Sequence, residues 1–242
     1  MTEPSAVQPP KPAPPRRWWQ RIARWVLWSL LAGVLVPPLQ CALLNWLDPP
    51  VTLTMLGQAW HNWRQTDNWQ LPAYQWVGLE EVPRCVAVAA LSSEDRGFFH
   101  HHGFDMTAIR RAWQHNRDHP GRRQVGASTI SQQVARNVFL TQQHSWVRKG
   151  LEAWYTVWLE LLVPKRRILE VYVNIAEMGP MVFGVHAAAD HWFHKPPAKL
   201  RLGEAALIMA LLPAPRRWTP ATKGVQRRAA WIERLPAAVP KM

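Results

Sequence analysis

From Trp25 to Leu47 the chain carries no charged side chain. Those 23 residues, as an α-helix, rise about 34 Å, enough to cross a hydrocarbon core of about 30 Å with some tilt. Pro37-Pro38 is expected to kink the helix, which membrane helices tolerate better than soluble ones. A Pro-rich tail, Pro4 to Pro15, and a basic cluster, Arg16 to Arg24, precede it. After it, residues 48–83 hold Arg64 against Asp48, Asp67, Glu80 and Glu81. This asymmetry predicts a cytoplasmic N-terminus and a working domain on the far side of the membrane. A cleaved signal peptide is the rival reading. It fits less well, because the stretch is longer than a signal h-region and no small-x-small site follows.

Charge narrows the partners without choosing among them. Of the net +13, residues 1–24 contribute +4, which leaves +9 on the remainder. Such a surplus suits nucleic acid, acidic headgroups or phosphate on a substrate. A far-side domain meets no cytosolic nucleic acid, and no nucleic-acid-binding motif occurs. The 16 tryptophans suit a protein that lies against a membrane interface. Cys41 falls inside the apolar stretch and Cys85 outside it, so neither a disulfide framework nor a Cys-based metal site is expected.

The predicted organisation is a cytoplasmic tail (1–24), a transmembrane anchor (25–47), a Trp- and Pro-rich membrane-proximal connector (48–82) and one mainly α-helical domain (83–242). Pro83 suits a first helical turn, and the apolar run Val86 to Leu91 leads to Glu94. The loop Pro120 to Gly126 breaks the pattern before helix signals resume at Ser128-Thr129 and near Arg148. Leu151, Tyr155, Trp158 and Leu162 have the spacing of a core stripe, and Pro164 ends that helix. Further helices are expected over Ile168–Ala176, Ala187–Phe193, Glu204–Leu212 and Arg227–Leu235. No dinucleotide or P-loop glycine pattern is present.

Four segments carry chemistry. Glu94-Asp95-Arg96-Gly97-Phe98-Phe99-His100-His101-His102-Gly103-Phe104-Asp105 sets two carboxylates at the end of an apolar helix. Apolar walls raise a carboxyl pKa and suit it to general acid or base work. Read alone, Glu94 is equally a solvated helix end. His100 to His102 are a poor metal set, because successive residues cannot all face one ion; His186, His191 and His194 read as ordinary helix residues.

In Gly126 to Asn137, Ile130, Val134 and Val138 share one helical side, while Thr129, Gln133 and Arg136 or Asn137 share another. Hydroxyl, amide and guanidinium suit sugar hydroxyls and phosphate oxygens, whereas a merely solvated face favours Glu and Lys. Arg148-Lys149-Gly150-Leu151-Glu152 reads alone as a surface ion pair. With an anionic substrate it would be a cationic site beside a second carboxylate. Glu170, Asn174 and Glu177 form a polar stripe that either positions a loop or lines a cleft.

In this order the four segments closely resemble the bacterial peptidoglycan glycosyltransferases, and most of all their monofunctional, single-domain branch. The pattern E-D-x-x-F-x-x-H-x-G-F-D is met by Glu94, Asp95, Phe98, His101, Gly103, Phe104 and Asp105. G-[GA]-S-T-[IL]-[ST]-Q-Q is met without a gap from Gly126 to Gln133, and R-K-x-x-E by Arg148, Lys149 and Glu152. The fourth falls on Ile168, Leu169, Glu170, Tyr172 and Asn174, and similarity runs from about Pro83 to Pro220.

The resemblance implies a two-lobed, lysozyme-like fold on a membrane helix, in the bacterial inner membrane with its catalytic domain in the periplasm. It implies that lipid II is polymerised into β-1,4-linked glycan with inversion and release of undecaprenyl diphosphate. Glu94 would be the general base and Glu152 the second catalytic carboxylate. Asp95, Phe98, His101, Thr129, Gln133, Arg136, Asn137, Arg148 and Lys149 would bind substrate, with Arg148 and Lys149 beside the leaving diphosphate. The partners implied are lipid II, the growing glycan and the inner membrane, with division or elongation proteins as candidates. No metal cage is self-evident and no cofactor is fixed; a Mg²⁺ or Mn²⁺ ion at the diphosphate stays open.

Two departures stand out: Arg136 where the family usually has Lys, and Gly179-Pro180-Met181-Val182-Phe183-Gly184 where its turn is richer in glycine. Arg keeps the charge but changes the hydrogen-bond geometry. A lysozyme-like hydrolase would have little use for Arg148-Lys149 and an anchor, and a non-catalytic scaffold little use for Glu94 and Glu152. No Ser-x-x-Lys followed by Lys-Thr-Gly occurs, so transpeptidase chemistry is not expected.

Overall fold

The computed structural model describes residues 18–122, 124–142 and 145–240. The expected tail from Pro4 to Pro15, the basic residues Arg16 and Arg17, and Arg123 of the expected loop lie outside them. The chain divides into two units, 1–36 and 37–242.

The described part of the first unit is helical. Helix α1, Trp18–Leu43, is the one described helix long and apolar enough to cross a membrane. It begins before Trp25, so Arg21 and Arg24 ride on its opening turns, and it runs uninterrupted through Pro37 and Pro38.

The second unit is mainly helical. After the last turns of α1 come α2 (Leu53–Thr66), α3 (Arg84–Glu94), α4 (Met106–Asp118), α5 (Ile130–Phe139) and α6 (Trp146–Leu162). Then follow α7 (Lys165–Ile175), α8 (Gly184–Phe193), α9 (Leu202–Leu211) and α10 (Lys223–Arg234). Helix α7 is the centre of the core: Ile168, Leu169, Val171, Tyr172, Val173 and Ile175 are all fully buried. Arg166, Arg167 and Glu170, none of them fully buried, keep a narrow polar side on it. It packs against α5 and α8, while α9 packs against α3 and α10.

A small sheet completes the core, for which the mainly helical reading placed no strand. Its order is β1 (Ala73–Tyr74), β3 (Val182–Phe183), β2 (Glu177–Gly179), with β1 parallel and β2 antiparallel to β3. The doubtful turn at Pro180-Met181 is the β2–β3 hairpin. Met181 takes the left-handed φ of 57° that glycine would otherwise supply, and its carbonyl accepts from Ala73 N at 2.8 Å. Gly184 has φ +77°, and a Cβ there would lie 2.2 Å from Asn174 O, so only glycine fits.

Two expectations need revising. Residues 48–82 are more than a spacer, because Met55, Ala59, Val77, Leu79 and Val82 enter the core. Thr52 Oγ1 caps α2 by accepting from Met55 N at 3.3 Å. The core face of α6 is also rotated from the expected stripe: Glu152, Tyr155, Thr156 and Leu159 are buried, whereas Leu151 and Leu162 are exposed. Glu152 meets its cations internally, so polarity did not mark the outward side of this helix.

Candidate active site

A cleft of about 1210 Å³ opens among the end of α3, one face of α4, the 125–129 loop, the start of α5, Leu212-Pro213 and α10. Helix α3 is apolar from Val86 to Leu91 and buried there except for the half-buried Val88, which fixes where its final residue, Glu94, emerges. Glu94 meets polar donors in the cleft rather than the apolar walls expected of it. Its Oε1 accepts from Ser93 Oγ at 2.9 Å and from Arg228 Nη2 at 3.0 Å, and its Oε2 accepts from Gln133 Nε2 at 3.0 Å. Arg228 also donates to Ser93 O at 3.1 Å and to Ser93 Oγ at 2.9 Å. The carboxylate is thus held at both oxygens, by α5 on one side and α10 on the other.

Gln133 is itself oriented. The buried Tyr172 hydroxyl donates to its Oε1 at 3.5 Å. Burial first, and then the Glu94 charge, pushes the Tyr172 phenol well above its ordinary value, so it remains a donor. This donation fixes which end of the Gln133 amide faces Glu94.

The other residues singled out in the first motif build the frame. Asp95 is buried and receives His101 Nε2 at 3.0 Å and the backbone N–H of Ile130 at 3.1 Å, which ties the end of α3 to the start of α5. Phe98 is fully buried with the Lys165 ammonium 4.3 Å from its ring centre, and it does not line the cleft. Asp105 caps α4 through Ala108 N at 2.8 Å.

In the second motif, Thr129 caps α5 in a reciprocal capping box with Gln132. Its hydroxyl donates to Gly103 O at 2.6 Å, so Thr129 lines the cleft with its hydroxyl already engaged. Arg136 lines the cleft with Gln133, whereas Asn137 is buried and accepts from Gln142 Nε2 at 3.3 Å away from it. Arg96, Arg111, Arg136 and Arg228 against Glu94, Asp95 and Asp105 leave the lining with a cationic surplus. That balance suits a substrate carrying phosphate.

Arg148, Lys149 and Glu152 form a second cluster on α6 and are not among the residues lining the cleft. Glu152 is 1% exposed and receives Arg148 Nη1 at 2.6 Å and Lys149 Nζ on its other oxygen. Arg148 Nε is buried with no protein partner. Among the described residues no group of three or more His, Cys, Asp or Glu is placed to hold a metal ion.

The polar stripe of the fourth motif positions a loop. Asn174 accepts from Val77 N at 2.9 Å and donates to Val77 O at 2.8 Å, and Glu170 accepts from Leu79 N at 3.2 Å. Glu177 instead receives Arg216 at 2.8 and 3.0 Å.

Arg228 and Trp231 escaped notice in the sequence, and Tyr172 was read there as a motif residue without a role. The available signal was weak: on α10, Val225, Ala229 and Ile232 are buried, which leaves Arg228 and Trp231 together on an adjacent flank.

A family model described as Transglycosylase matches residues 63–236. The chain is 46% identical over 228 residues to a biosynthetic peptidoglycan transglycosylase of Xanthomonas euvesicatoria pv. vesicatoria, covering 92% of this chain and 89% of that one. A protein of the same description from Xylella fastidiosa is 44% identical over 220 residues, covering 90% and 88%. Another from Pseudomonas aeruginosa is 42% identical over 219 residues, covering 90% and 91%.

Proposed function

Since the chain belongs to the transglycosylase family and is a lysozyme-like peptidoglycan glycosyltransferase of cell-wall synthesis, we propose that it polymerises lipid II, with Glu94 as general base. The observation that carries this reading is the fixed carboxylate of Glu94 in a cationic cleft, held at both oxygens by Ser93, Arg228 and Gln133. Glu94 takes the proton from the 4-hydroxyl of the acceptor sugar. The freed oxygen attacks the anomeric carbon of the donor from the face opposite the diphosphate. A β-1,4 bond forms, the bond from the anomeric carbon to the diphosphate oxygen breaks, and undecaprenyl diphosphate leaves with that electron pair. The proton stays on Glu94 until solvent removes it.

Arg136 and the other cleft arginines attract the anionic donor. Glu152 holds Arg148 and Lys149 together as a charged unit for the leaving diphosphate, with Lys149 the more exposed of the two cations. Fixed cations at developing negative charge lower a barrier without reorganising during the reaction. A Mg²⁺ or Mn²⁺ ion at the diphosphate would take its oxygen ligands mainly from that group and from water, since no described protein cage supports one.

The substrate is a lipid, and the anchor keeps the enzyme at its membrane. Arg21 and Arg24 on the first turns of α1 support a cytoplasmic start to that helix and a periplasmic cleft. The exposed Trp146, Val147, Leu151 and Leu161 of α6 give the second unit an apolar surface for the same bilayer. The test is purified protein with lipid II in detergent or vesicles. Expected products are β-1,4 glycan polymer and undecaprenyl diphosphate. Release of free disaccharide would support hydrolysis instead, and no reaction would favour a scaffold.

A further inference from the structure

Trp231 is the one tryptophan among the residues lining the cleft, and it is 44% exposed. The core makes no demand on it, because α10 buries Val225, Ala229 and Ile232 instead. It is nevertheless held in place. The Arg96 guanidinium sits 5.0 Å from the ring centre, and Arg96 donates to the Leu235 carbonyl at the end of the same helix. One face of the indole is therefore occupied by a cation and its orientation is set from the loop that follows Glu94.

An aromatic face is negative at its centre and accepts the weakly positive C–H groups on the flat side of a pyranose. Trp231 follows Arg228 by three residues, which puts the two side chains on one flank about 5–6 Å apart. Arg228 holds Glu94. The indole and Glu94 thus line the same cleft, with Arg228 on the flank between them bonded to the carboxylate. We infer that Trp231, braced by Arg96, is a stacking platform for the acceptor sugar and a specificity-determining residue of the reaction. The inference rests on the proposed lipid II polymerisation.

The test measures initial polymerisation rates against lipid II concentration for wild type, Trp231→Phe, Trp231→Leu and Trp231→Ala. Phenylalanine keeps a π face; leucine keeps apolar bulk without one. The expected result is a KM within about threefold of wild type for Trp231→Phe and raised about tenfold for Trp231→Leu, with kcat changing less than KM. Trp231→Ala should match Trp231→Leu. If the Ala variant fails to fold, the contrast between Phe and Leu decides. Equal KM for Phe and Leu overturns the platform, as does a fall in kcat at unchanged KM, which would assign Trp231 to holding α10. A wild-type enzyme that makes no polymer instead refutes the proposed function on which the platform depends.

Discussion

Replacing Arg228 with alanine removes three hydrogen bonds from one guanidinium nitrogen, two to Ser93 and one to Glu94. The arginine side chain is 32% exposed and that of Glu94 16%, so solvent screens part of the attraction, and the stability cost is about 1 kcal/mol. The catalytic cost is larger. Gln133 and Ser93 still grip the carboxylate, so the base is misplaced rather than lost. A misplacement of about 1 Å can cost about 10²-fold, while a general base supplies about 10²- to 10⁴-fold in all, so kcat should fall about 10- to 100-fold. KM for lipid II should stay within about threefold, since Arg228 acts on the base rather than on bound substrate. Arg228→Lys should recover only part of the loss: an ammonium can stand in for the single donating nitrogen, but it sits on a shorter stem and cannot take the same position between Ser93 and Glu94. The assay is initial-rate polymerisation of lipid II alongside a thermal melt. An Arg228→Ala enzyme that melts near wild type and keeps wild-type kcat would refute the reasoning.

Other residues test the frame. Gly184→Ala combines a positive φ of 77° with a Cβ 2.2 Å from the Asn174 carbonyl; it should cost about 3 kcal/mol or more. A denaturant midpoint unchanged from wild type would show that the 174–184 approach is not tight. Glu204 is opposed by its own burial, but Lys195 and the Arg201 N–H outweigh that and hold its carboxyl below the ordinary value. A depressed folded value means stability present above the unfolded pKa and lost as pH falls through the folded one. Glu204→Gln should therefore be about 0.5–1 kcal/mol less stable at neutral pH, and the gap should close below about pH 4. Urea melts at both pH values check this, and a gap independent of pH contradicts it.

The sequence exposed helices where apolar spacing met a proline, as at α3 after Pro83 and at α6 before Pro164, but not α2 and α4, which start at the caps Thr52 and Asp105. It also placed Glu94 at the end of an apolar helix, and Gln133 with Arg136 or Asn137 on one face of α5. Residue type did not reveal direction. Asp95, His101 and Thr129 have the chemistry of substrate contacts, and each also makes a hydrogen bond within the frame around the end of α3 and the start of α5, while Phe98 is buried. The two-residue β1 pairs with β3 across more than 100 residues, and so short a strand leaves no alternation to read. Arg228 was missed, and Tyr172 was read only as part of the fourth motif, for a similar reason. Their partners Glu94 and Gln133 lie far away in the chain, and only the packing of α10 and α7 brings them together.

The central claim is that Glu94 takes the acceptor proton, and Glu94→Gln tests it most directly. Glutamine keeps the shape, but with one acceptor oxygen it can accept from Arg228 or from Gln133 and not from both, and it cannot act as the base. Polymerisation of lipid II by purified Glu94→Gln, beside wild type at saturating substrate, should fall by at least about 10²-fold with the melt little changed. A folded Glu94→Gln enzyme that polymerises lipid II at the wild-type rate would contradict the account.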